Sequence, residues 1–106
     1  MGNRIRLLLE YGALPLFIYE EDDVFGFWLP KGHENDQELI KLTEEVQNIY
    51  NSLWIDERGK KFEYKGFDTT LEEEHFKKLV RELRDMLVRK FSHKYIIDVS
   101  DVEEYL

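Results

Sequence analysis

The sequence predicts an α+β domain: a mainly antiparallel sheet of about four to five strands with two helices on one face, in the order β-β-β-α-β-α-β. Three observations carry that expectation. The first thirty residues read as strands, with a period-two alternation over residues 4–11 and 14–19. Residues 39–53 and 76–91 each carry an apolar stripe at helical spacing. The connections between the early strands are short, which favours antiparallel hairpins over long crossovers. Each helix has a single stripe to bury, so both should lie on one face of the sheet.

The elements follow in order. Ile5, Leu7, Leu9 and Tyr11 alternate with Arg4, Arg6, Leu8 and Glu10, giving a first strand. Gly12-Ala13 makes a turn, after which Leu14, Leu16 and Ile18 alternate with Pro15, Phe17 and Tyr19. Pro15 cannot donate to a ladder and belongs at a strand start or on an edge. Glu20–Asp23 is a polar turn, and Val24–Leu29 reads as a third, aromatic strand. Asn35, with Glu38 three residues on, reads as the capping box of the first helix, whose stripe is Leu39, Leu42, Val46, Ile49 and Leu53. Ile40 and Tyr50 widen it. Arg58-Gly59-Lys60 breaks the pattern, and Phe62–Lys65 resumes a strand. Thr69 and Thr70 each precede a Glu by three positions, so the second helix has a redundant start signal. Its stripe is Phe76, Leu79, Val80, Leu83, Met86, Leu87 and Phe91. Tyr95–Val99 forms the last strand, and Ser100 is placed to cap a terminal turn.

Residues 1–106 make one domain by length, since single domains cluster at roughly 100–150 residues. Such a chain buries roughly two-thirds of its unfolded surface, enough for one core. Zero cysteine removes disulfides, thiolate nucleophiles and thiolate metal sites. A net charge of −8 argues against nucleic acid as a partner, because phosphate contacts need basic surface. Leu7-Leu8-Leu9 is too short for a signal-peptide apolar region, and the stretches 13–19 and 24–30 fall far short of the ~20 residues of a membrane span. These features predict a cytoplasmic protein without a membrane partner.

The residues that carry chemistry elsewhere are present here without the spacing that chemistry needs. His33, His75 and His93 form no i, i+4 pair on a helix. Glu20-Glu21-Asp22-Asp23 lacks the D-x-D-x-D-G spacing of a calcium loop. Glu72-Glu73-Glu74 lies in a first helical turn, where negative charge suits the macrodipole. There is no G-x-S-x-G, and the glycines are scattered singly rather than gathered in a phosphate-cradling loop. The sequence thus predicts no enzyme, no cofactor and no metal.

Charge distribution is more informative. Residues 20–57 hold eleven acids against Lys31 and Lys41, a balance of −9, whereas Asp68–Ser92 holds six acids and six bases. Aromatics are interleaved with the acidic segment, and aromatics beside charge are the composition of an interface centre with a steering rim. The expected partner-binding residues are Asp22, Asp23, Asp36, Glu38, Glu44 and Glu45 for charge, with Trp28, Tyr50 and Trp54 as anchors. They place the interface on the outer face of the first helix and the loops at 20–23 and 33–38.

Arg4–Gly12, Leu14–Tyr19, Tyr50-Asn51-Ser52-Leu53-Trp54-Ile55-Asp56 and Phe62–Phe67 together resemble a group of small acidic bacterial proteins, similar to the immunity proteins encoded beside polymorphic toxins of Gram-positive bacteria. The resemblance spans most of the chain, rests on mainly structural positions and carries over no functional residues. It implies an antitoxin that neutralises a basic, nuclease-like toxin by direct binding. The alternative expectation is a self-associating structural or regulatory domain without catalysis, contacting itself through an edge strand or the aromatic strand. The oligomeric expectation is a monomer or weak homodimer.

Overall fold

The computed structural model describes residues 3–20, 23–24, 29–30 and 32–106, with the backbone alone at 23–24. It is α+β. Strands β1 (Asn3–Leu7), β2 (Leu16–Glu20) and β3 (Asp23–Val24) precede helix α1 (Gln37–Ser52). Then come β4 (Trp54–Glu57), β5 (Lys61–Tyr64), helix α2 (Thr70–Phe91), β6 (Tyr95–Asp98) and a terminal 3₁₀ segment, Ser100–Tyr105.

Two features differ from the expected order. The main sheet runs β3-β2-β1-β6, with β1 antiparallel to β2 and parallel to β6. The chain between β1 and β6 far exceeds the dozen or so residues that a parallel pair requires, and α2 carries it back so that Tyr95 re-enters beside Asn3 in the direction of β1. The second difference is an added strand. β4 follows α1 directly and pairs with β5 as a separate two-stranded ribbon, giving β-β-β-α-β-β-α-β. Of the expected third strand, Val24 pairs with Tyr19 in β3. Residues 25–28, and with them Trp28, lie outside the described residues, as does Asp22.

The period-two pattern sorts the sheet into faces as expected. Ile5, Leu7, Leu16 and Ile18 are buried and share a core with Leu39, Val46, Phe76, Val80, Leu83 and Leu87 from the helices. Burying each such side chain stabilises the fold by about 1.5–3 kcal/mol. On the opposite face the Arg4 guanidinium lies 4.6 Å from the Tyr19 ring centroid. Arg6 Nε donates to Asp101 at 2.6 Å, which ties the central strand to the 3₁₀ segment.

All seven expected stripe residues of α2 are buried, and Thr69 Oγ1 caps its start by accepting from Glu72 N–H at 3.1 Å. α1 is rotated slightly from its expected stripe. Its buried residues are Leu39, Thr43, Val46, Gln47 and Tyr50, while Leu42 and Ile49 are only partly buried. Thr43 tolerates burial because its hydroxyl donates to Ile40 C=O at 2.8 Å. The N-cap is Asp36 rather than Asn35: Asp36 Oδ1 accepts from Leu39 N–H at 3.2 Å. Ser100 also differs from its expected role. Its own N–H and hydroxyl both donate to Asp98 Oδ1, and Val99 precedes the 3₁₀ segment without a side-chain cap.

Candidate functional site

The expected acidic residues are dispersed by the fold. Asp36 is a helix cap and an ion-pair partner at once, with Lys90 Nζ 2.8 Å from its Oδ2. That ammonium, outweighing burial, holds the Asp36 carboxyl below its ordinary range. Glu38 lies 2.9 Å from Arg89 and 3.5 Å from Lys90. The expected contrast between an acidic first helix and a neutral second helix is therefore softened, because the last turn of α2 answers the first turn of α1. Glu20 is engaged as well, accepting from the Tyr95 hydroxyl. Burial, with that carboxylate beside it, pushes the Tyr95 hydroxyl up to about 12.

Glu44 is exposed and Glu45 half-buried on α1, and neither forms an ion pair with another described residue. Asp23 contributes its backbone to β3. Tyr50 is 9% exposed and belongs to the core, so it backs the surface rather than projecting from it.

Trp54 leads to a feature that the charge argument missed. Its ring stacks on Phe62 with centroids 4.9 Å apart and planes 11° apart. Tyr64 meets it edge-on at 5.2 Å, Tyr11 lies at 6.2 Å, and Tyr50 supports it from the core at 6.3 Å. The pairings Trp54↔Tyr64 and Asp56↔Phe62 put these side chains on one face of the ribbon. Phe62 remains 57% exposed and Tyr64 48%, although both are large and apolar. Exposed aromatics gathered on one element have the make-up of interface anchors.

The local sequence explains how this cluster forms. Leu53 N–H closes α1 on Tyr50 C=O, and its own C=O accepts from Lys65 and Gly66 N–H at 2.7 and 3.2 Å, pinning the base of the ribbon. Gly59 turns it with φ +72°, a conformation that side-chain-bearing residues rarely adopt. Tyr11 is delivered from the β1–β2 turn. Gly12 N–H donates to Asn51 Oδ1, and Gln47 Nε2 donates to both Glu10 C=O and Asn51 Oδ1. Tyr11 then donates to Asp56 Oδ2 at 3.2 Å, and desolvation together with that carboxylate raises its hydroxyl pKa. The signal for this site was present in Tyr11, Trp54, Phe62 and Tyr64. Local periodicity hides it, because Trp54–Glu57 follows the α1 stripe too closely to stand out as a strand.

A cleft of about 330 Å³ opens between the end of α1 and the start of α2, lined by Ser52, Lys65, Phe67 and His75 among others. Ser52 Oγ is turned back onto Ile49 C=O at 2.6 Å, and Lys65 faces Asp68 at 4.0 Å. Among the described residues, no three His or carboxylate side chains are grouped to hold a metal ion, and no helix is long and apolar enough to cross a membrane. Comparison with protein families, curated proteins and solved structures gives no match for this chain.

Proposed function

We propose that this chain is a non-catalytic protein-binding module: a bacterial immunity protein that neutralises a basic, nuclease-like toxin in the cytoplasm by direct, stoichiometric binding. The observation that carries the reading is the partly exposed aromatic cluster Tyr11, Trp54, Phe62 and Tyr64. It sits at the end of the helix that presents Glu44 and Glu45, and beside Asp56 and Glu57 on β4. Ring surface of this kind supplies affinity on desolvation, while the Glu44 and Glu45 carboxylates, which form no ion pair with another described residue, steer a basic protein toward it. The sequence resemblance to immunity proteins points the same way.

The test is co-expression with the toxin domain encoded by a neighbouring reading frame, paired with association rates at several salt concentrations. Protection, with an association rate that falls steeply as salt rises, supports the reading. A salt-independent rate removes its electrostatic part, and loss of protection removes the reading itself. The alternative, a self-associating regulatory domain, is favoured by one observation of its own: the ribbon β4–β5 has all four residues of β5 exposed.

A further inference from the structure

The outer edge of β5 is a template for another strand, and its geometry selects the strand that fits. Lys65 N–H donates to Leu53 C=O at 2.7 Å. Antiparallel ladders alternate, so the hydrogen-bonded pairs of the ribbon fall at 53/65, 55/63 and 57/61. The backbone N–H and C=O groups of Phe62 and Tyr64 therefore point away from β4. Among the described residues no strand lies beyond them. An isolated two-stranded ribbon is at best marginally stable in water, and an unpaired edge invites pairing.

We propose that β5 pairs antiparallel with β5 of a second copy of this chain, centred on Phe62, to make a four-stranded β4-β5-β5-β4 sheet across a two-fold axis. Four registers can be compared. Centring on Phe62 uses the outward-pointing backbone groups and keeps both aromatic faces on the same side. It also sets Lys61 of each copy opposite Glu63 of the other, in the close, non-hydrogen-bonded positions where side chains meet best. Lys61 and Glu63 already pair within one chain at 3.0 Å, so the dimer closes a square of alternating charges. Centring on Glu63 would place Glu63 against Glu63 and Lys61 against Lys65. Centring between the two would face Phe62 with Glu63 and send the aromatic faces to opposite sides. Centring on Tyr64 would set Glu63 against Lys65 but Phe62 against Gly66, which at φ +76° has left the extended backbone of a strand. The Phe62-centred register is therefore the one that is self-complementary in backbone, ring face and charge within β5, and its occupant is this chain itself. The inference deepens the self-associating alternative, and because pairing uses the strand edge rather than the ring face it does not require the toxin-neutralising reading to fail.

Sedimentation of the full chain from about 1 μM to about 1 mM tests it, spanning the affinities expected of an interface this small. Wild type is compared with Lys61→Glu, Glu63→Lys and the double exchange, each checked for folding by circular dichroism. Both side chains are half-exposed, so the fold should survive every variant. The expected result is a concentration-dependent dimer that each single reversal weakens about tenfold and the double exchange restores. The single reversals move net charge by two units in opposite directions, so a general charge effect would split them, whereas cross-strand pairing weakens both. A monomer at all concentrations, indifferent or oppositely affected single reversals, or a double exchange as weak as the singles would each overturn the proposal.

Discussion

Lys90 Nζ lies 2.8 Å from Asp36 Oδ2, joining the last turn of α2 to the residue that caps α1. Both side chains are largely withdrawn from water, at 22% and 16% exposure, so the pair is screened less than a surface bridge. Asp36→Ala should cost about 1–2 kcal/mol, most of it the lost cap. Asp36→Asn keeps the capping oxygen and should cost about half as much. Urea unfolding of the two variants, with Lys90→Met to complete the comparison, separates cap from ion pair.

The same carboxyl makes stability pH-dependent. Asp36, Asp98 and Asp101 are all held below the ordinary aspartate value of 3.8, chiefly by Lys90, by Ser100 and by Arg6 respectively. A carboxyl whose folded pKa is depressed binds protons more readily when unfolded. Its contribution is complete above about pH 4 and is lost as pH falls through the lower, folded value. Thermal unfolding between pH 5 and pH 2 should show this decline. Asp36→Asn should flatten it while leaving the part due to Asp98 and Asp101.

How much of this was legible in the sequence depends on how far each signal reaches along the chain. The α2 stripe and the alternation of β1 and β2 are local periodicities, and burial follows them. Thr69 is legible for the same reason. The α1 cap slipped by one because Asn35 and Asp36 are both good caps, and Glu38 completed a capping box on paper. In the fold Glu38 turns to Arg89 and Lys90, partners set by tertiary packing and invisible to a local pattern. β4 is not legible because four residues separated from a helix only by Leu53 give too few alternations to set a period of two apart from a helix end. The parallel placement of β6 beside β1 has no local signature at all. The candidate site is obscured twice: its charges find distant partners, and Trp54, the ring that the others gather on, falls on the strand without a local signature.

Phe62 should matter more than its exposure suggests. A half-exposed side chain ordinarily tolerates truncation within about 0.5 kcal/mol. Phe62 also stacks on Trp54 and meets Tyr11 edge-on at 5.1 Å, and aromatic pairs add about 0.5–1.5 kcal/mol beyond area. Phe62→Ala should therefore cost about 1–2 kcal/mol in urea unfolding and weaken the near-ultraviolet dichroism of Trp54.

Charge reversal on α1 separates steering from folding. Glu44→Lys with Glu45→Lys removes carboxylates that have no ion pair to another described residue, so stability should change by about 0.5 kcal/mol or less. The same change should slow association with a basic partner and weaken protection in the toxin assay. Reversing Glu82 and Asp85 on α2 should do neither, although Asp85 surrenders its contact with Arg84. Protection lost only on the α2 reversal would move the binding face to the second helix.

Gln47 holds the turn that delivers Tyr11, and its substitution distinguishes a buried donor from a buried polar group of any kind. The side chain is 5% exposed, and its Nε2 donates at 2.8 Å both to Glu10 C=O and to Asn51 Oδ1. Its Oε1 has no partner among the described residues. Gln47→Met loses two hydrogen bonds but also removes that orphaned oxygen, so the net cost should be about 1–2 kcal/mol. Gln47→Glu has nearly the same shape and should be worse at neutral pH. It would set an ionised carboxylate, buried, against two acceptors with nothing to donate, costing about 3 kcal/mol or more. Burial and those acceptors would raise the folded pKa of the new carboxyl above its unfolded value. Its ionisation then destabilises the fold above about pH 4.3, whereas the protonated form can donate to one acceptor. Gln47→Glu should therefore regain stability relative to wild type as pH falls toward 4, while Gln47→Met shows no such recovery. Chemical unfolding of the two variants at pH 7 and pH 4 measures the difference, and equal pH responses would show that the donor at position 47 does not hold the turn.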